Sequence, residues 1–132
     1  MQVLVDTCIW SQAFRRRDNS NDSARELRDI ISDNRACIMG PIRQEVLSGI
    51  RVKQHFQSLR DHLSAFPDLH IKTIDYENAA EFSNLVRSKG IQGSAIDLLI
   101  CAVAHRCSLL VYTLDDDFTH YSKYLPIRLY AK

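Results

Sequence analysis

The sequence predicts an α/β protein with a mainly parallel central sheet of four to five strands and helices on both faces. Three observations carry this. Short β-type runs alternate with longer segments of helical periodicity, the pattern of βα units. The strand runs are continuously apolar rather than alternating, as expected of strands covered on both faces. No internal repeat, low-complexity stretch or Pro/Gly/Ser linker divides the 132 residues, so a single domain over 1–132 is expected.

The elements follow in order. Val3-Leu4-Val5 is a short strand ending at Asp6. Trp10 and Phe14 then lie at helical spacing and suit packing. Ala24, Leu27, Ile30 and Ile31 share one helical face. Ala36 to Met39 is a second strand, stopped by Gly40-Pro41, and Pro41 is suited to open a helix. Phe56, Leu59, Leu63 and Phe66 line another helical face, Ile71 to Ile74 reads as a third strand, and Tyr76, Ala79, Phe82 and Val86 form the next helical stripe. The segment from Ser94 to Arg106 differs: Leu98 to Ala104 is apolar all round, which predicts a helix buried on most sides. Leu109 to Tyr112 is the fourth strand and Ile127 to Tyr130 a fifth at the edge.

Composition narrows the function classes. Hydrophobic residues at 45% and charged residues at 25% describe an ordinary soluble globular chain. The longest wholly apolar run, Leu98 to Ala104, is far below the ~20 residues of a membrane span. Asp6 interrupts the only apolar stretch near the start, and no basic region precedes it, so no signal peptide is expected and the cytoplasm is the expected compartment. The four cysteines (Cys8, Cys37, Cys101, Cys107) make no C-x-x-C pair and read as small buried hydrophobes, and the histidines make no H-x-x-x-H pair, which disfavours zinc. Nucleotide-binding loops of the G-x-x-x-x-G-K-[ST] or G-x-G-x-x-G type are absent, and Ser94 lacks the glycine of a hydrolase elbow because Gln92 stands there.

The acids are more informative. In an open parallel sheet, ligands bind beyond the carboxyl ends of the strands. Asp6-Thr7 follows the first strand, Glu45 lies about one turn into the helix after the second, and Thr113-Leu114-Asp115-Asp116-Asp117-Phe118 follows the fourth. Asp97 falls in the first turn of the apolar helix. Each has an ordinary alternative: Asp6 as a helix cap, Asp97 as the acid of an S-x-x-D capping box with Ser94, Glu45 as a solvated helix residue, and Asp115 to Asp117 as a polar turn. Together, four acidic positions converge on one sheet edge. Like charges gathered there repel and resist desolvation, so such a cluster calls for a cation. Oxygen donors without His or Cys point to Mg²⁺ or Mn²⁺, which bind phosphates and activate water.

These residues resemble the PIN domain, specifically the toxin nucleases of VapBC toxin–antitoxin pairs, over nearly the whole chain. The resemblance rests on Val3-Leu4-Val5-Asp6-Thr7, on Glu45-Val46-Leu47-Ser48-Gly49, on Ala95-Ile96-Asp97-Leu98-Leu99-Ile100-Cys101-Ala102, and on Leu114-Asp115-Asp116-Asp117-Phe118 preceded by Thr113. It implies a PIN-like fold and a Mg²⁺- or Mn²⁺-dependent endoribonuclease that leaves a 5′ phosphate and a 3′ hydroxyl. Asp6, Glu45, Asp97 and Asp115 match the family's acidic quartet, and Asp117 its additional acid; Asp116 sits at the variable position. Asp6, Asp97 and Asp115 would hold the main ion, with Glu45 and Asp117 orienting water or a second ion. Thr7 and Thr113 match hydroxyl positions beside the site. The resemblance also implies a homodimer, a VapB-type antitoxin lying in an apolar groove of the first helices with a basic side chain inserted at the acids, and a tRNA or rRNA substrate.

Net charge is +1, yet setting five pocket acids aside leaves 11 acids against 17 basic residues, a surplus of six on the remaining surface. That suits an RNA backbone around an acidic centre. Arg15, Arg16, Arg17 and Arg43 are the candidate phosphate contacts, with Arg51 and Lys53 nearby. A non-catalytic PIN-like RNA-binding or scaffold module is the alternative from another class, and the intact acidic quartet argues against it. A receiver domain would need an acidic pair at the first strand, and an aspartyl phosphatase D-x-D, where the sequence reads Asp6-Thr7-Cys8.

Overall fold

A computed structural model describes residues 1–15 and 21–131. The chain runs β1 (Val3–Val5), α1 (Thr7–Trp10) with a π-helical continuation (Ser11–Arg15), α2 (Asp22–Ser32), β2 (Ala36–Met39), α3 (Gly40–Leu47), α4 (Lys53–Leu63), β3 (Asp68–Leu69), α5 (Thr73–Ser88), α6 (Ala95–Arg106), β4 (Leu110–Tyr112), α7 (Asp117–Ser122) and β5 (Arg128–Leu129). The five strands are all parallel, in the order β3-β2-β1-β4-β5. This is the expected α/β architecture.

Strand β1 is the centre of the sheet and fully buried. Leu4 pairs with Cys37 on one side and Val111 on the other. The chain order reverses at β1: β2 and β3 lie to one side, β4 and β5 to the other. The crevice beyond the carboxyl ends of β1 and β4 is therefore the topological switch point, where such sheets bind ligands. A further backbone rung, Asp6 N–H to the Tyr112 carbonyl at 2.9 Å, carries the pairing of β1 and β4 up to the lip of that crevice.

Helix α6 is buried at every position from Leu98 to Ala104, as its all-round apolar run predicts, and it packs most extensively on α5. Helix α2 turns Ala24, Leu27 and Ile30 inward. Trp10 is fully buried, stacks on Phe14 at 5.8 Å and meets Phe66 at 4.9 Å, while its indole N–H bonds the Val5 carbonyl at 3.0 Å. Helix α4 ends at Leu63, so Phe66 reaches this cluster from the following turn rather than from the helix. Of the cysteines, Cys101 is buried and the other three are half-buried; all four are free thiols.

The third strand departs from expectation. It lies at Asp68–Leu69, and the residues read as a strand, Ile71 to Ile74, straddle the start of α5. The cause is Asp75. Its Oδ2 accepts the Lys72 N–H at 2.9 Å, fixing the first turn of the helix. Arg106, at the far end of α6, grips both its oxygens at 2.7 and 2.9 Å and also donates to the His70 carbonyl at 2.8 Å. A partner 31 residues away thus settles a choice that the local apolar pattern left open.

Asp75 is completely buried, and Arg106 holds its carboxyl below the usual carboxylate range. Breaking such a pair leaves an uncompensated charge. Arg106→Met should lower stability by about 3 kcal/mol in urea unfolding, and Asp75→Leu added to it should recover part of the loss.

Candidate metal centre

The acids sit where the sheet delivers them. Asp6 is the residue after β1 and the N-cap of α1: its Oδ1 accepts the Thr7 N–H at 2.8 Å. Its Oδ2 accepts the Thr113 hydroxyl at 2.8 Å. The capping reading of Asp6 is therefore correct and compatible with a place in the site. Asp6 is buried, and desolvation, with the negative charge of Asp115 adding to it, raises its pKa above the ordinary value despite these hydrogen bonds.

The turn after β4 explains the T-x-D-x-D spacing. The Thr113 Oγ1 that donates to Asp6 accepts the Asp115 N–H at 3.0 Å. Asp115 Oδ1 in turn accepts the Asp117 N–H at 2.9 Å. Each polar side chain bonds the backbone two residues on, a pair of successive side-chain turns. Asp115 and Asp117 thereby come to the same lip; both are exposed there, as is Asp116 at the start of α7.

Asp97 arrives from α6. Ser94 caps that helix, its hydroxyl oxygen accepting the Asp97 N–H at 3.1 Å. The Asp97 carboxylate accepts the buried Tyr121 hydroxyl at 3.2 Å. Carboxylate oxygens of Asp97, Asp115 and Asp117 lie within 4.8 Å of one another. Burial, then the charges of Asp6 and Asp115, push Asp97 up to about 6. Among the described residues, none of the ion pairs involves Asp6, Glu45, Asp97, Asp115 or Asp117. A cluster of oxygen donors carrying uncompensated charge fits a hard divalent cation.

Glu45 stands apart from this trio. It is exposed on α3 and accepts the Thr7 hydroxyl at 3.2 Å, so it borders the site through Thr7. Asp117, the additional acid of the sequence reading, lies within the close trio, whereas Asp6 is the more deeply held neighbour. Both threonines are in place: Thr113 bridges Asp6 to the β4 turn and Thr7 bridges Asp6 to Glu45.

The arginines divide. The Arg43 guanidinium is turned into the protein, donating to Asp68 at 2.9 Å, to the Leu63 carbonyl at 2.9 Å and to the Phe66 carbonyl. It ties α3 to the end of α4 and to β3, and these bonds occupy its charge. Arg16, Arg17 and the Arg15 side chain lie outside the described residues. Arg51 and Lys53 are exposed.

Two residues of the site escaped the sequence reading. Cys8 suits a buried hydrophobe by its sequence neighbours, yet its thiol lies 3.8 Å from both Asp6 Oδ2 and Thr113 Oγ1 and accepts the Leu114 N–H at 3.4 Å. Tyr121 is fully buried, and burial beside Asp97 pushes its phenol up, so it remains a proton donor. Its four-residue spacing from Asp117 was the available signal.

The Asp97 shift has a testable sign. Its folded-state pKa of about 6 exceeds the ordinary 3.8. Between these values the folded chain keeps a proton that the unfolded chain has released, so stability falls as pH rises through this window and the cost persists above it. With chelator present, Asp97→Asn should melt above the wild type near neutral pH. The difference should grow from about pH 4 to about pH 6 and then level off. Adding Mn²⁺ should raise the wild-type melting temperature more than that of the variant.

Comparison with known proteins agrees with the geometry. The PIN domain family model matches residues 3–124. Ribonuclease VapC11 of Mycobacterium tuberculosis is 30% identical over 120 residues, covering 88% of each chain, and the VapC ribonuclease Mb1587 of Mycobacterium bovis matches to the same extent. Among solved structures, VapBC2 of Rickettsia felis bound to a promoter DNA fragment superposes with a TM-score of 0.78 at 20% identity, over 98% of both chains. FitAcB of Neisseria gonorrhoeae gives 0.77 at 18% identity, over 98% of this chain and 97% of that one. A sheet with this order, the acids at its switch point and these relatives lead to one assignment: the chain belongs to the PIN-domain family, among the VapC-type ribonucleases.

Proposed function

We propose that this VapC-type ribonuclease, the toxin of a type II toxin–antitoxin pair, hydrolyses RNA phosphodiester bonds with Mg²⁺ or Mn²⁺ held by Asp97, Asp115 and Asp117 beside Asp6. The observation that carries the reading is the close trio of carboxylates at the β1–β4 switch point, free of ion pairs among the described residues. A divalent cation bound there supplies the charge that polarises the scissile phosphoryl group and acidifies water.

The residues divide the remaining work. Asp97, Asp115 and Asp117 are the closest oxygen donors. Asp6, whose oxygens accept the Thr7 N–H and the Thr113 hydroxyl, adds negative charge beside the trio. Glu45, at the exposed border, orients the attacking water and takes up its proton. Thr7 and Thr113 fix the carboxylates between which the phosphate enters. In-line attack leaves a 5′ phosphate and a 3′ hydroxyl, with no covalent enzyme intermediate. A structured RNA, tRNA or rRNA, is the substrate, and its loss stops translation and growth.

Arg15, Arg16 and Arg17 supply phosphate contacts, with Arg51 and Lys53 on the exposed surface near α4; Arg43 is left out of this role. The chain acts in the cytoplasm as a single domain over 1–132; among the described residues, no helix is long and apolar enough to cross a membrane. A homodimer and a VapB-type antitoxin complete the assembly. The antitoxin lies along a cavity of about 380 Å³ lined by Phe14, Leu27, Ile31, His55, Leu59 and His62, and a basic side chain from it takes the place of the cation's charge. The fold's likeness to a toxin–antitoxin complex from Klebsiella pneumoniae, with a TM-score of 0.61 at 24% identity over 89% of this chain and 90% of that one, supports this.

Two measurements test the reading. Purified protein should cut total RNA at discrete sites with Mg²⁺ or Mn²⁺ and not with chelator. Asp97→Asn should lower cleavage at least ~100-fold, the upper range seen when even the partners of metal ligands are removed. Comparable cutting by the variant overturns the assignment. RNA binding should also weaken steeply with salt, and Arg15→Ala with Arg16→Ala should flatten the dependence by about two phosphate contacts.

A further inference from the structure

Helix α7 carries two groups toward the site on one face. Asp117 opens the helix and Tyr121 lies four residues on, one turn below. Tyr121 is fully buried against Phe118, with ring centroids 5.2 Å apart and the planes nearly perpendicular. Its hydroxyl donates to Asp97 Oδ2 at 3.2 Å. The opposite wall of this slot is Gly93, the residue before the α6 cap. A Cβ at Gly93 would lie 3.1 Å from the Tyr121 hydroxyl, 3.3 Å from its ring and 2.3 Å from Leu98 Cδ2. The last distance is far inside contact, so the absence of a side chain at Gly93 leaves the room that the phenol and Leu98 fill.

From this geometry we infer that Tyr121 is a positioning residue for the metal centre: its buried hydroxyl holds one oxygen of Asp97 and so turns the other toward Asp115 and Asp117. The inference rests on the reading that these three acids hold the cation. Helix α6 brings Asp97 and α7 brings Asp117, two positions 20 residues apart in sequence. The Tyr121–Asp97 bond is a direct polar tie between these two helices at the level of the acids. Hydrogen-bonded partners of metal ligands typically set affinity by 10–100-fold. Here the partner is rigid: its ring is packed on Phe118 and Leu125 follows in the core, so little ordering is needed when the site fills.

The test uses Mn²⁺ as probe, followed by titration calorimetry or by the paramagnetic signal of the free ion. Tyr121→Phe removes the hydroxyl and keeps the ring. It should retain a cooperative melt, weaken Mn²⁺ binding about 10-fold or more, and lower RNA cleavage at limiting Mn²⁺, with activity restored as Mn²⁺ is raised. In an Asp97→Asn background, Tyr121→Phe should cause no further loss of Mn²⁺ affinity, because the hydroxyl acts only through that carboxylate. Gly93→Ala, which crowds the slot, should weaken Mn²⁺ in the same direction. If Asp97→Asn binds Mn²⁺ as tightly as the wild type, the metal-site reading itself fails. If Asp97→Asn loses the ion while Tyr121→Phe binds it with unchanged affinity, the metal-site reading stands and the positioning role is overturned.

Discussion

Everything at the carboxyl edge of this sheet answers to one constraint: several carboxylates are held together and, among the described residues, none of them is in an ion pair. Asp115 and Asp117 are exposed to water, and Asp97 and Asp6 are progressively less so. Here Asp6 is buried by the central strand, Asp97 is brought in by a helix that is apolar all round, and Asp115 and Asp117 are locked by a turn that bonds its own backbone. Burial first, and the neighbouring negative charges after it, raise the pKa values of Asp6 and Asp97. A fold that sustains this arrangement gives up stability for it, and a cation returns that stability on binding.

The scaffold supplies the rigidity that the cluster requires. Strand β1 is buried between β2 and β4, so Asp6 starts from an immobile base. Two charged side chains serve the frame. Arg106 neutralises Asp75 and fixes the α5–α6 pair from which Asp97 projects. Arg43 closes α3 onto the end of α4 and onto β3, which sets the helix that carries Glu45. In both places the positive charge is used up by bonds within the fold and the acids at the switch point are left for a cation.

Much of this was legible in the residues. The parallel sheet followed from short apolar strands separated by amphipathic segments, and the all-round apolar run at Leu98 to Ala104 correctly announced a buried helix. Asp6, Glu45, Asp115 and Asp117 followed from asking what stands after each strand, and Asp97 from the first turn of the apolar helix. The third strand did not follow, because Ile71 to Ile74 has strand character locally and only the distant Arg106, gripping Asp75, makes helix the better choice. Arg43 read as a surface cation because sequence shows charge but not the carbonyls that receive it. The spacing of Tyr121 from Asp117 was a weak signal for a similar reason: one phenol on a short helix is an ordinary core residue until the space left by Gly93 and the Asp97 carboxylate are seen together.

The most direct test of the account is crystallographic. Crystals grown with Mn²⁺ and measured near the manganese absorption edge should show an anomalous peak about 2–2.3 Å from oxygens of Asp97, Asp115 and Asp117, next to Asp6. Such a peak, absent from crystals of Asp97→Asn grown alike, is the predicted result. A wild-type crystal whose acids lie as described here, with Mn²⁺ bound elsewhere or nowhere at millimolar concentration, would contradict it.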